Sequence, residues 1–329
     1  MSVPRTSRLG VWLAPLRETL TPALAVLFTF QVLSGMLVAP LLSLLPVYVE
    51  GHLGLSTVFS ANLRILSVCS GGVVALVGGA VCDALGRKPA YLLAMTGVIA
   101  AGLLFLLQSP AAMYPLSVYG GLMFGLGTVA GLAYVMDAAP KHSLAFATAC
   151  YFMAGTVGNA IGSAISGVAA RELGDGYHVI GLTMSLGHAA LLGVAALVLP
   201  DLPRPQSART LRSMLGNYGE ILRAPRTPAL LALRFLPTVY WGCATFLMPL
   251  LLFRLTGSEK PAGYYASASM VLSAVCQLGM GRIVDRFGVR VPVVAAVTLV
   301  AVAALGKGLF PGSLWPLMGF GLLGAGAAW

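Results

Sequence analysis

Three charged or titratable side chains lie inside long apolar runs of this sequence, where they could bind a solute or carry a proton. His188 is near the centre of its run, and histidine is the side chain that titrates near neutral pH. It is therefore a candidate proton carrier or solute ligand, with a hydrogen-bonded packing histidine as the alternative. Arg64 and Arg234 lie about 10 Å deep in their runs, at 1.5 Å per residue. Each could bind an anion in a cavity or extend its head group back to water.

The other candidates for a solute site are neutral amide and aromatic side chains, namely Gln31, Tyr151, Asn159, Tyr240 and Trp241. Such a mixture suits a small organic solute better than a bare ion. None of the ten aspartates and glutamates lies near the middle of an apolar run. A coupling proton therefore needs a carrier other than a carboxylate in these runs, and His188 is the candidate.

The elements that position these residues are membrane-spanning helices. Hydrophobic residues make up 58% of the 329 residues and charged residues only 9%, against roughly 25% charged in a soluble domain. Apolar runs of about 20 residues, each long enough to cross a bilayer, recur along the chain. The sequence thus predicts an all-α polytopic membrane protein with about ten spans, near residues 23–47, 57–81, 89–108, 115–138, 143–169, 178–199, 229–253, 262–284, 291–310 and 313–329.

A charged, glycine-bracketed turn occurs twice, at residues 79–88 and again 202 residues later at 281–290. A repeat of this period indicates two copies of one helical bundle. The glycines permit close helix approach and a sharp reversal, and the aspartate lies at a helix junction. The residues concerned are Gly79, Asp83, Gly86, Arg87 and Lys88 in the first copy, and Gly281, Asp285, Arg286, Gly288 and Arg290 in the second.

The distribution of cations predicts the orientation. With the N-terminus in the cytoplasm, fourteen of the 20 lysines and arginines lie on the cytoplasmic side. We therefore predict a multi-pass protein of the cell membrane (plasma or inner) with a cytoplasmic N-terminus and no cleaved signal segment. The net charge of +10 reflects this topology, with some attraction to anionic lipid headgroups, and nucleic acid is not an expected partner.

Sequence patterns for metal binding, disulfides and enzymatic chemistry are missing. The five cysteines are scattered, without CxxC spacing, and most lie in apolar runs. No HExxH or GxSxG motif occurs, and no carboxylates are paired inside a span. We expect no cofactor and no metal, and a membrane-embedded enzyme is the weakest of the alternatives.

The two turns, together with six spans, a long basic loop and further spans, resemble the major facilitator superfamily of secondary transporters. The resemblance implies two pseudo-symmetric six-helix bundles and a gating role for the turns. In that family the arginine of the first turn reaches an acid at the end of span four, which here is Asp137. The resemblance therefore implies an Arg87–Asp137 pair. It also implies that Asp285 faces the start of span five, near residues 141–143.

The sequence departs from the family in length, because members have twelve spans and these residues supply about ten. We expect a six-helix bundle at residues 1–200, a basic cytoplasmic linker at 201–228 and a partial second bundle of about four helices at 229–329. The predicted function is secondary active or facilitative transport of a small organic solute by alternating access, in a monomer. A truncated, inactive remnant or a non-transporting membrane scaffold is the alternative.

Overall fold

The structure, a computed structural model, describes residues 20–203, 218–219, 222–225, 227–288 and 290–328. The side chains of residues 230, 233, 234, 236, 277–287 and 328 lie outside that description, although their backbone is helical. The described residues form helices and connecting turns, without a β-strand.

Ten long helices run through the described residues. The first six are α1 (Pro22–Ser43), α2 (Thr57–Leu85), α3 (Arg87–Leu106), α4 (Pro110–Ala138), α5 (Leu144–Glu172) and α6 (Gly176–Val198). The last four are α7 (Thr227–Thr256), α8 (Lys260–Phe287), α9 (Arg290–Leu309) and α10 (Leu314–Ala328). A short helix at Leu45–Val47 and a π-helical turn at Tyr48–His52 extend α1, and a 3-10 turn at Lys141–Ser143 precedes α5.

Hydroxyl side chains satisfy backbone donors where the first two helices begin. Thr21 accepts a hydrogen bond from the Leu24 amide at 3.3 Å, and Ser56 accepts one from the Phe59 amide at 3.1 Å. Hydrocarbon offers no partner for free backbone groups, so such caps and the internal helix ladder keep the spans intact.

The chain reverses at every junction, so alternate junctions share an end of the molecule. We call the end with the α1–α2, α3–α4, α5–α6, α7–α8 and α9–α10 junctions the Glu50 end. The opposite end, with the α2–α3, α4–α5 and α8–α9 junctions, is the Asp83 end.

Small residues set the helix contacts of the first six helices. A Cβ added to Gly125 of α4 would lie 2.1 Å from the Gly71 carbonyl oxygen of α2, and one added to Gly158 of α5 would lie 2.1 Å from the Val32 carbonyl oxygen of α1. Close backbone approach of this kind is a main source of association between helices in lipid.

The first six and last four helices meet most closely between α5 and α8. A Cβ added to Gly263 of α8 would lie 2.5 Å from the Ser163 carbonyl oxygen and 2.8 Å from the Gly167 Cα, both in α5. The two backbones therefore pack without an intervening side chain near the Glu50 end.

The helix bounds follow the predicted spans, and the all-α membrane fold is confirmed. Eight helical stretches are long and apolar enough to cross a bilayer among the residues that the structure describes. The other two predicted spans fall on α8 and on the shorter apolar helix α10.

Candidate functional site

A compact ion cluster lies at the Asp83 end, within the first six helices. Arg87 Nη1 donates to Asp83 Oδ1 and Arg87 Nε donates to Asp137 Oδ2, both at 2.6 Å. The side chains of Arg87 and Asp83 are 12% and 13% exposed, so this pair is mostly shielded from water. The structure thus contains the Arg87–Asp137 contact that the family resemblance implies, and Asp83 joins it.

The two copies of the turn share an unusual backbone conformation. Gly86, between α2 and α3, has φ +96°, and Gly288, between α8 and α9, has φ +71°. Positive φ strains residues with a Cβ, which explains glycine at both positions. Gly79 lies inside α2, Lys88 is half-buried in the first turn of α3, and Arg290 begins α9 in an exposed position.

Part of the second copy lies outside the described side chains. Gly281, Asp285 and Arg286 fall on the helical backbone of α8, where side chains are not described. The predicted approach of Asp285 to residues 141–143 therefore stays a prediction.

Ion pairs at the Glu50 end join the first six helices to the last four. Arg254 of α7 binds Glu50 through two hydrogen bonds, Nε to Oε1 at 2.6 Å and Nη2 to Oε2 at 2.7 Å. Thr57 also donates to Glu50 Oε2 at 2.6 Å. A second pair joins Lys260 of α8 to Glu172 of α5. Among the described residues, every ion pair between these two groups of helices lies at this end.

A cavity of about 340 Å³ lies between the helices, with walls from α1 to α4 and from α7. Its lining is mostly apolar, and its polar side chains are Arg64, Ser67, Ser117, Thr128 and Trp241. Trp241 belongs to α7, so both groups of helices contribute to the wall. This volume falls within the range of small-molecule sites in proteins.

Two smaller cavities adjoin the first, because they share lining residues with it. One of about 10 Å³ is lined by Arg64 and Thr245, and one of about 40 Å³ by Tyr240, Trp241 and Thr245. Arg64 Nη2 lies 3.5 Å from Thr245 Oγ1, and its Cζ lies 6.0 Å from the centre of the Trp241 ring. Of the predicted solute-site residues, Arg64, Tyr240 and Trp241 are thus brought together across the two groups of helices.

Four other predicted solute-site residues lie in contacts between helices of the first six and line none of these three cavities. Gln31 of α1 packs over Gly155, because a Cβ added to Gly155 would lie 2.9 Å from Gln31 Nε2. The Tyr151 ring is 4% exposed, and the Asn159 Nδ2 donates to the Gly155 carbonyl at 2.9 Å. His188 is fully buried. The side chain of the eighth candidate, Arg234, lies outside the described residues.

His188 lies in a buried contact between two helices. Its Nε2 lies 3.0 Å from Ser34 Oγ, in a contact between α6 and α1, and its exposure is 0%. The geometry favours the packing alternative over the proton-carrier and ligand alternatives.

If the predicted transport depends on pH, we expect His188→Gln to keep that dependence, because the imidazole does not line the cavity. The measurement is the transport rate in reconstituted vesicles over pH 5 to 8, which brackets the ordinary titration range of histidine. Ser34→Ala serves as the control, since it removes the same hydrogen bond and keeps the imidazole. A flat pH profile in His188→Gln alone would show that His188 carries the proton.

Sequence reasoning missed the ion pairs of the Glu50 end and the contact between Lys307 and Tyr240. Lys307 Nζ donates to Tyr240 Oη at 2.9 Å and lies 4.3 Å from the ring centre. A signal for the Glu50–Arg254 pair was present, because the corresponding ends of spans one and seven carry opposite charges.

Together, the helices and the cavity define a multi-pass membrane protein with an internal cavity between two groups of helices. The chain belongs to the Major Facilitator Superfamily, whose family model matches residues 27–329. It is therefore a protein of a transporter family and not an enzyme. No curated protein sequence matches it significantly.

Solved transporter structures share the fold at low sequence identity. The nucleoside transporter NupG matches with a TM-score of 0.67 and 16% identity, covering 93% of this chain and 79% of that one. A bacterial homolog of the human lysosomal transporter Spinster, inward-facing and unoccupied, matches with a TM-score of 0.69 and 17% identity over 98% and 74% of the chains. The xylose transporter XylE from E. coli, in an inward open conformation, matches with a TM-score of 0.63 and 14% identity over 97% and 80%.

Proposed function

We propose that the protein is a secondary transporter, active or facilitative, that moves a small organic solute by alternating access. The moving parts are a bundle at residues 1–200 and a second bundle at 229–329, joined by the linker at 201–228. The observation that carries the proposal is the cavity, since residues of both bundles line it and inter-bundle ion pairs lie at one end. Membership of a transporter superfamily supports the same function.

In this proposal the Asp83 end faces the cytoplasm of the cell and the Glu50 end faces outside. The cation distribution supports the assignment, because Arg87, Lys88 and Arg290 lie at the Asp83 end. The structure then corresponds to a conformation held shut on the outer side. In their solved structures, the Spinster homolog is inward-facing and XylE is inward open. A conformation closed on the outer side agrees with both.

The turns at the Asp83 end act as gating elements in the proposal. Arg87 holds the α2–α3 turn against the end of α4, so the turn moves together with that helix. In the second copy, the proposed contact is that of Asp285 with the start of α5, near residues 141–143. The Arg87 contacts lie within the first bundle, whereas the Asp285 contact would lie between bundles, where it would let the interface switch between discrete arrangements.

Substitution of the central cation, Arg87→Gln, is expected to reduce transport several-fold while membrane insertion is retained. The change leaves two carboxylates, Asp83 and Asp137, without the cation between them, and Asp83 is mostly buried. Initial uptake rates at equal amounts of inserted protein measure the effect. Arg171→Gln is the control, because it removes an exposed cation outside the turns and no ion pair among the described residues. Equal rates for both variants would contradict the gating role of Arg87.

The transport function itself is tested with purified protein in sealed vesicles. A panel of neutral, anionic and cationic organic solutes is offered with and without a pH gradient across the vesicle membrane. The proposal predicts saturable uptake of at least one solute, and dependence on the gradient identifies proton coupling. Absence of uptake for the whole panel, with correctly folded protein, would favour the scaffold or remnant alternative.

A further inference from the structure

Arg64 is the one charged residue among the described residues that line the large cavity. The other cavity-lining residues are apolar, small or neutral polar, and most belong to α1 through α4. Its guanidinium does not extend back to an aqueous end of the span. Instead, it lies beside Thr245 and Trp241 of α7. Arg64 also lines the smaller cavity next to Thr245.

Arg64 combines two properties among the described residues: it lines the large cavity and it has no acidic partner. Arg87 binds Asp83 and Asp137, Arg254 binds Glu50, and Lys260 binds Glu172. Within the described part of the chain, the only side-chain hydrogen bond of Arg64 goes to Thr245 Oγ1 at the long distance of 3.5 Å. A guanidinium in an apolar, half-buried setting is costly without a counter-charge. The described part of the chain thus leaves this charge for another molecule to neutralise.

Building on the transport function proposed above, we propose that the transported solute is an organic anion whose carboxylate binds Arg64 and whose apolar body fills the cavity. Guanidinium is the side chain best suited to this group, since its planar N–H fork forms two parallel hydrogen bonds with a carboxylate. The apolar walls, including Val38, Leu41 and Phe124, are suited to a hydrocarbon or aromatic body.

The position of Arg64 lets one bound anion contact both bundles. Arg64 belongs to α2 and its guanidinium lies beside Thr245 and Trp241 of α7, so a carboxylate bound to it lies at the boundary between the two bundles. The body of the solute lies beside Trp241, which lines the same cavity. Binding therefore involves the same two bundles that alternating access moves.

The test compares solutes that differ only in charge. Purified full-length protein in detergent is titrated with 4-phenylbutyrate, its neutral amide 4-phenylbutanamide and the cation 4-phenylbutylamine. Further pairs of a carboxylate and its amide, from aliphatic and aromatic acids, are titrated in the same way. Calorimetry and ligand-induced shifts in melting temperature report binding. We expect at least one carboxylate to bind at least tenfold more tightly than its amide, as a charge-assisted hydrogen bond predicts.

Variants separate the contribution of the Arg64 charge from that of the cavity volume. Arg64→Gln should lower carboxylate affinity at least tenfold and leave amide affinity unchanged, and Arg64→Lys should restore part of the preference. Gly72→Leu, which places a side chain where no atom lies within 4 Å of an added Cβ, should weaken both solutes by filling the cavity. Arg171→Gln, at an exposed arginine, controls for net charge. Ligand-free melting temperatures and gel-filtration profiles show that each variant is folded.

The anion proposal is overturned if carboxylates and amides bind with equal affinity, or if no carboxylate binds at millimolar concentration. It is also overturned if the preference for carboxylates survives in Arg64→Gln. Vesicle uptake keeps this failure distinct from failure of the transport function. Uptake of neutral solutes alone would leave transport standing and reject the anion. Carboxylate binding without uptake of any solute would support the site and reject transport.

Discussion

Reversing one charge at the Glu50 end, in Arg254→Glu, is expected to open that end of the cavity. Arg254 forms a bidentate ion pair with Glu50 and also donates to Thr57. In the variant, the carboxylate of the new glutamate instead faces the carboxylate of Glu50. The Arg254 side chain is 50% exposed, so solvent screens the pair and the lost attraction is of order 1 kcal/mol. With the added repulsion, we expect about a tenfold shift toward the open conformation, where tenfold corresponds to about 1.4 kcal/mol.

A single cysteine in the cavity measures this opening. Ser67→Cys is placed in a background without the five native cysteines, and its reaction with a membrane-impermeant maleimide is followed from the Glu50 side. Arg254→Glu should raise the labelling rate, with a smaller effect at high salt. The double exchange Glu50→Arg with Arg254→Glu should return the rate toward the starting value. If the exchange leaves the rate as high as in the single variant, the ion pair is not what holds this end shut.

Placing a larger side chain in the closest contact between the bundles is expected to have the second large effect. In Gly263→Val the new side chain meets the backbone of α5, at Ser163 and Gly167, which cannot move aside as a side chain would. Overpacking of this kind typically costs about 1–3 kcal/mol. We expect the closed arrangement of α5 and α8 to be destabilised, so that the protein melts at lower temperature or populates the open conformation.

The matched control is Gly193→Val, a helical glycine of α6 with no atom within 4 Å of an added Cβ. It introduces the same side chain and the same change in helix propensity. Melting temperature and maleimide labelling of Ser67→Cys are compared between the two variants. The prediction fails if Gly263→Val and Gly193→Val behave alike.

The sequence was sufficient to predict the fold because the relevant signals are local. Apolar runs of fixed length define the spans, and the repeated turn predicts Gly86 and Gly288 as reversal points, both of which have positive φ. The Arg87–Asp137 contact followed from a family resemblance carried by the same turn. Each of these features depends on a few neighbouring residues or on a motif.

The candidate site was less predictable because a membrane helix is apolar on most faces. Sequence alone did not show which way Arg64 and His188 point, and the structure places the first in the cavity and the second between helices. The Glu50–Arg254 pair joins residues 204 positions apart, so the opposite charges at the ends of spans one and seven do not by themselves specify the contact. Such contacts depend on the rotation and packing of whole helices.

The most direct test of alternating access measures the distance across the Glu50 end. Spin labels at Leu107 in the first bundle and Trp315 in the second, both exposed side chains, are compared by pulsed electron resonance in lipid nanodiscs. The account predicts two distance populations, with the longer one gaining weight in Arg254→Glu. A single distance that does not change in Arg254→Glu would contradict alternating access between the two bundles.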